Sequence, residues 1–193
     1  MSSAIDSIKN SVISCMNCDL SRSRINAVPG EGDWESDVIF VGEAPGRNED
    51  LQGAPFVGAA GKILSEALEY AGFTRRHVYI TNVVKCRPPN NRRPSKQEVS
   101  SCSGYLQKEI GIIKPTVICI LGNTAFGSLL DGSEITKNRG KLIRREDHLY
   151  FVTVHPAAVL YNPDLRQVLK DDLKSLYGIV EKIKKGTPVQ ISE

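Results

Sequence analysis

Val38-Ile39-Phe40-Val41-Gly42-Glu43-Ala44-Pro45-Gly46 is the stretch whose reading decides the fold. Val38 to Gly42 form an unbroken apolar run rich in β-branched residues. A strand with one wet face alternates apolar and polar positions, whereas an uninterrupted run suits a strand covered on both faces. The chain then changes character at once. Gly42 to Gly46 make a strand-to-loop turn whose glycines and proline allow backbone amides to approach a ligand closely.

Three further runs repeat the pattern: Val78–Val84, Thr116–Gly122 and Tyr150–His155. Lys141–Arg145 could add a strand at an edge. Helical periodicity fills the gaps. Gly61–Ala71 puts Ile63, Leu64, Ala67 and Leu68 on one face, and Ser95–Ile113 opens with a Ser-x-x-Glu capping box at Ser95 and Glu98. Asn123 can cap a short helix to Leu130. Asn162, followed by Pro163, can cap a last helix reaching about Lys185, after which the residues from Gly186 read as a frayed tail. Strands alternating with helices specify an α/β fold: three layers, α/β/α, around a central, mainly parallel four-stranded sheet, in one domain over residues 1–193.

In an open α/β sheet the ligand binds beyond the carboxyl ends of the strands. Those ends carry Gly42 and Glu43, Asn82, Gly122 and Asn123, and His155. Glu43 can orient a water or stabilise positive charge. Asn82 offers a donor and an acceptor, enough to read one edge of an amide-like base, and it interrupts a β-branched run where Asn is disfavoured. A neutral His155 can donate to a developing anion. Phe56, in the loop Pro55–Gly58, can stack on a planar base. Val159 and Leu160 follow the His155-Pro156 turn and suit either a wedge entering a DNA stack or packing beneath the last helix.

The four cysteines Cys15, Cys18, Cys86 and Cys102 form a second constellation. A Cys-x2-Cys pair stands first, 67 residues separate Cys18 from Cys86, and 15 separate Cys86 from Cys102. Spacing alone allows an iron–sulfur cluster or a structural zinc, either of which would tie the N-terminal segment to the middle of the domain. Cys119 lies within an apolar run and reads as core. Net charge is only +3, but two stretches are basic without an acid. Lys85, Arg87, Arg92, Arg93 and Lys96 form one; Lys137, Arg139, Lys141, Arg144 and Arg145 form the other. Such patches suit a phosphate backbone, although each alone would equally suit a solvated loop. No apolar run reaches the roughly 18 residues of a membrane span, and MSSAIDSIKN lacks a signal core. A cytoplasmic location is expected, where reduced thiols serve as ligands.

Taken together, the Cys-x2-Cys pair, VGEAPGRNED, GAPFVGAAGKIL, YITNVVKCRPPNNRRP, Cys102, ILGNTA and VHPAAVL resemble the family-four, iron–sulfur-containing uracil-DNA glycosylases, in that family's order from about Ser14 to Leu160. The resemblance implies the glycosylase-like version of the α/β fold and a [4Fe–4S] cluster on the four cysteines. It implies monofunctional hydrolysis of the deoxyuridine N-glycosidic bond in single- or double-stranded DNA, leaving an abasic site for base excision repair. By the same analogy Gly42 and Glu43 lie at the sugar and the attacking water, Phe56 stacks on uracil and Asn82 binds its edge. His155 contacts the oxygen that gains charge, and Glu49 crowds out the methyl of thymine. Relatives with an Asp at the position of Ala44 use it to activate water, and that Asp is absent here. Arg87, Arg92, Arg93 and Lys96, with Val159 and Leu160, are the expected DNA contacts. A monomer associated with the nucleoid is expected, with replication or repair proteins as further partners left unidentified. Intact Glu43, Asn82 and His155 argue against a non-catalytic DNA-binding or redox module. The absence of a KRIH segment argues against a relative that traps its product covalently.

Overall fold

The apolar runs assemble into a single sheet in the computed structural model, which describes residues 2–192 and the side chains of residues 4–192. The strands are β1 (Glu31–Gly32), β2 (Val38–Gly42), β3 (Tyr79–Asn82), β4 (Val117–Leu121), β5 (Leu142–Arg145) and β6 (His148–Thr153). The helices are α1 (Ser2–Ile13), α2 (Leu20–Ser23), α3 (Arg47–Gln52), α4 (Ala59–Ala71), α5 (Lys96–Ile113), α6 (Asn123–Leu130), α7 (Ile135–Asn138) and α8 (Leu165–Lys184). The spatial order is β1-β3-β2-β4-β6-β5, six strands where four were expected. The four expected strands form the parallel centre. β1 and β5 add short antiparallel edges. A two-residue strand such as β1 has no periodicity to read.

Every residue of β2, β3 and β4 is buried. Alternation sends successive side chains to opposite layers. Val38, Phe40, Ile80, Val117, Cys119 and Phe151 pack with α4 and α8 through Leu64, Leu68, Leu169, Leu173 and Leu176. Ile39, Val41, Tyr79, Ile118, Ile120 and Val152 pack with Ile5 of α1, Leu106 and Ile110 of α5 and Phe126 of α6. These are the three layers. Cys119, fully buried, is core as expected. Among the described residues no helix is long and apolar enough to cross a membrane.

Several local expectations are corrected. The Ser95–Glu98 capping box opens α5 as expected. α8, however, starts after Asp164, and Asn162 instead accepts from the Asp164 amide. Asn123 does not cap α6: its Oδ1 accepts from the Ile135 amide at 3.0 Å, tying α7 down. The tail after Gly186 is docked, with the Ser192 amide donating to Leu142 O at 2.7 Å and Val189 and Ile191 packing on the core.

Lys85 is the largest departure in the basic stretch. Its side chain is 1% exposed and Glu109, on α5, is 0% exposed, with Nζ 2.7 Å from Glu109 Oε2. Lys85 also donates to Thr81 Oγ1. Glu109 further accepts from Thr81 Oγ1 at 3.0 Å, the Tyr79 hydroxyl at 3.3 Å and the Gly30 amide at 3.2 Å. Burial, with Glu109 alongside, drives the Tyr79 pKa far above its ordinary value. A buried charge keeps its place only when partners surround it, and this network bolts β3 to α5. Removing one member of a buried pair costs about 3–5 kcal/mol because the other charge is left stranded. Glu109→Ala is therefore expected to lower stability by about that amount in urea unfolding, and a loss below about 1 kcal/mol would show that the pair is not what secures β3.

Candidate active site

The parallel register between β2 and β3 pairs Gly42 with Asn82. The ladder carries on past the strands, as Val83 and Val84 donate to the carbonyls of Gly42 and Glu43 at 2.9 and 3.2 Å. β6 leads to His155 on the same edge. Together these ends border a pocket of about 310 Å³ lined by Glu43, Glu49, Phe56, Asn82 and His155, with Arg92 and Tyr161 among its further walls. The sequence reading had placed the first five of these at one ligand site, and the tertiary structure brings all five together.

Asn82 is 2% exposed. Its Oδ1 is the only buried side-chain polar atom without a hydrogen-bond partner among the described residues. An unsatisfied buried acceptor typically costs about 1–3 kcal/mol, so it marks a place where a ligand donor is wanted. Gly42 makes room for it. A Cβ on Gly42 would stand 2.5 Å from Asn82 Oδ1 and 2.6 Å from Phe56 Cζ, closer than atoms tolerate. The Phe56 ring is tilted 31° to the His155 ring, with centroids 5.8 Å apart. Phe56 holds a left-handed φ of +52°, uncommon for a bulky residue.

His155 accepts a hydrogen bond at Nδ1 from the Ala157 amide, 3.1 Å away. This assigns the proton of the neutral ring to Nε2 and makes Nε2–H the donor available to the pocket. Part of the residue reaches the surface, but burial of the ring lowers its pKa to about 4, against a weaker upward pull from Glu49. Glu43 is half-buried and also lines the pocket, and its carboxylate takes no hydrogen bond among the described residues. Glu49 is fully occupied by amides: Oε1 accepts from Val57 at 2.9 Å and Gly58 at 2.8 Å, and Oε2 from Gly46 at 3.1 Å. It staples the turn after β2 to the Phe56 loop.

The expected DNA contacts separate. Arg93 and Lys96 are exposed. Arg87 is half-buried and donates to Asn91 Oδ1 at 2.7 Å. Arg92 makes a two-pronged pair with Glu98, at 2.8 and 2.7 Å, which holds the Glu98 carboxyl down to about 2. Val159 is corrected: it is 3% exposed and belongs to the core beneath the 3-10 turn Pro156–Leu160, so the packing alternative holds for it. Leu160 is 51% and Tyr161 90% exposed. The second basic stretch is paired in part within the chain, once against a buried carboxylate and twice at the exposed surface. Arg139 pairs with the buried Asp172, Lys137 with Glu134 and Arg145 with Asp131.

Cys86 and Cys102 are buried, and Cys15 and Cys18 half-buried. Burial pushes the Cys86 thiol up and the Cys102 thiol to about 11. Cys15 and Cys18 add to the rise at Cys86, and Cys15 and Cys86 to that at Cys102, so the four sulfurs share one neighbourhood. Three of them have an N–H donor aimed at them. Arg24 Nη1 lies 3.0 Å from Cys86 Sγ, the Lys85 amide 3.3 Å from Cys102 Sγ and the Asn17 amide 3.5 Å from Cys15 Sγ. Such donors suit sulfurs that carry negative charge. Arg24 also donates to the carbonyls of Ile13 and Cys15. Nothing in the sequence signals it, since it stands 62 residues from Cys86. Among the described residues no three His, Cys, Asp or Glu side chains converge tightly enough for a single metal ion.

A pocket at the carboxyl edge of a parallel sheet, with an aromatic plate, a buried amide and a neutral imidazole, has the surfaces and hydrogen-bonding groups that suit a planar, amide-like ring. Comparison with known proteins agrees. Residues 29–176 match the model of the uracil DNA glycosylase superfamily. A type-4 uracil-DNA glycosylase of Sulfurisphaera tokodaii is 49% identical over 183 residues, covering 90% of this chain and 83% of its own. Those of Archaeoglobus fulgidus (46%, covering 90% and 92%) and Thermotoga maritima (42%, covering 91% and 94%) are similar over nearly the whole length. The chain belongs to the uracil DNA glycosylase superfamily, among its type-4 members.

The depressed His155 pKa has a sign. An unfolded histidine titrates near 6.5, above the folded value of about 4, so the unfolded state binds the proton first. Stability is expected to fall as pH drops from about 6.5 toward 4. NMR titration of the His155 ring should give a midpoint near 4 with Nε2 protonated above it; a midpoint near 6.5 would mean the ring is solvated.

Proposed function

We propose that this protein is a monofunctional uracil-DNA glycosylase that hydrolyses the bond between C1′ and N1 of deoxyuridine, releasing uracil and leaving an abasic site. The observation that carries the reading is the unpartnered, buried Oδ1 of Asn82 beside the Phe56 ring. Uracil offers what that position lacks: an N3–H donor flanked by carbonyl oxygens on a flat ring. The base must leave the stack to reach a pocket of this depth, and a U·G mispair or a single strand yields it most readily.

Each wall then has a task. Asn82 accepts from N3–H and can donate its amide to O4. Phe56 covers the base face. As the glycosidic bond breaks, its electron pair passes into uracil and positive charge develops at C1′. The His155 Nε2–H stabilises the uracil oxygen that gains charge, and its neutrality down to about pH 4 keeps it a donor without a competing charge. The free carboxylate of Glu43 faces the cationic sugar and the water that adds to C1′, and takes the proton this water gives up, while the departing uracil anion gains a proton from solvent. Glu49, held rigid by three amides, walls the pocket against the methyl of thymine.

The four cysteines would hold a [4Fe–4S] cluster. A zinc ion, with Zn–S near 2.3 Å, draws its thiolates to within about 4 Å of one another. The four thiols share one neighbourhood, which would suit either metal, and the resemblance to the iron–sulfur-containing glycosylases is what favours the cluster. Hydrolysis changes no oxidation state, so the cluster's contribution is a brace on the segment from Asn82 to Cys86 and on the loop bearing Arg93 and Lys96. The enzyme acts as a monomer on chromosomal DNA in a prokaryotic cytoplasm.

Uracil release from a single-uracil oligonucleotide, beside matched thymine and hypoxanthine strands, tests the reading; no release would overturn it. His155→Ala is expected to slow single-turnover excision by roughly 100- to 1000-fold, the usual result of losing one donor to a developing anion, and an unchanged rate would remove His155 from the chemistry. Cys86→Ala should yield colourless, iron-poor protein with weakened DNA binding. Wild-type affinity in that variant would sink the brace.

A further inference from the structure

Phe56 adopts its left-handed backbone with both flanking peptide planes held from outside. Arg75, in the 3-10 turn Arg75–His77 after α4, donates from Nη2 to the carbonyls of Pro55 and Phe56 at 2.9 and 3.0 Å. Its Nη1 donates to Ser65 Oγ on α4 at 3.1 Å. Glu49 Oε1 takes the N–H of Val57 on the other side of the second plane. The Pro55–Phe56 plane and the Phe56–Val57 plane define φ and ψ of Phe56 between them. A non-glycine residue persists in this region only where its surroundings over-determine it. Gly61 completes the clamp, because any Cβ there would overlap the Phe56 carbonyl. Phe56 is 6% exposed and its ring reaches toward Gly42 and His155, so a turn of either plane would swing the ring out of the pocket.

We propose that Arg75 is a positioning residue for base recognition: its guanidinium fork, opposed by Glu49, locks the strained backbone of Phe56 so that the ring is preset against the base. The proposal rests on the uracil-excision reading for its ligand and on the backbone geometry alone for its clamp. A lysine keeps the charge, but its single ammonium would have to serve both carbonyls and the Ser65 hydroxyl from one flexible point, a task the planar guanidinium divides between Nη2 and Nη1. The residue touches no substrate, and it acts through Phe56.

Arg75→Lys and Arg75→Ala are the variants, each made also in the Phe56→Ala background. Stacking is worth enough that a misplaced ring should raise the inhibition constant of free uracil by about 10-fold. The turnover rate should fall as well, while KM for uracil-containing DNA changes less than about 2-fold, because phosphate contacts lie elsewhere. In the Phe56→Ala background the same change at Arg75 should add less than about 2-fold, since coupled residues are non-additive. Equal effects in both backgrounds would show that Arg75 only stabilises the fold, and no effect in either would show that it does nothing for the ring; both overturn the proposal. Should Arg75→Ala fail to fold, Arg75→Lys decides. A crystal structure of Arg75→Lys gives a separate answer: φ of Phe56 unchanged near +52° with the ring in place overturns the clamp, whether or not the wild-type protein releases uracil. A wild-type protein that neither releases nor binds uracil would overturn the functional reading alone.

Discussion

The pairing of Gly42 with Asn82 across the parallel ladder of β2 and β3 is the contact on which the site depends. Parallel strands end on the same edge, so the turn after β2, the amide at the end of β3 and the histidine beyond β6 arrive together without any long-range design of loops. The glycine matters as much as the register. With no Cβ at 42, the Asn82 carbonyl oxygen and the Phe56 ring can both crowd against the strand end. The Asn82 amide thereby sits at the end of a fully buried strand.

Around that edge the protein separates its charges by depth. Lys85 and Glu109, both fully buried, neutralise each other and fasten the far side of β3 to α5. The pocket has among its lining residues the cation Arg92, which is paired with Glu98. Its imidazole is kept neutral by burial, and its two carboxylates differ in use, Glu49 saturated by amides and Glu43 free. That division suits a reaction in which opposite charges develop on the two sides of one breaking bond: a donor without charge on the base side, and a carboxylate on the sugar side.

Much of this was legible in the chain. Uninterrupted apolar runs are the mark of strands covered on both faces, and the four of them predicted the parallel centre of the sheet. Residues out of keeping with their surroundings marked the site: a glutamate after a glycine, an asparagine inside a β-branched run, a histidine closing a strand. Of the two edge strands, the one within Lys141–Arg145 is legible and β1 is not, because two residues have no period; Lys85 looks solvated beside arginines until its partner, 24 residues away, is seen to be buried with it. Val159 was left between two readings because an apolar residue after a turn has no direction until the turn's 3-10 geometry sends it inward.

Local patterning is enough for the α/β class, the parallel centre of the sheet and the strand-end residues Glu43, Asn82 and His155, while the cysteine set stands out by spacing and Glu49 by family resemblance alone. Which charges are free and which are spent emerges from long-range packing: Arg93 and Lys96 face outward, Arg92 and Arg139 are paired, and Lys85 is entombed. That packing alone revealed Arg24 on the Cys86 sulfur and Arg75 on the carbonyls that hold Phe56. The physical reason is common to all of them. A long cationic side chain takes its role from the acceptor it reaches, and that acceptor is chosen by the packing of distant segments.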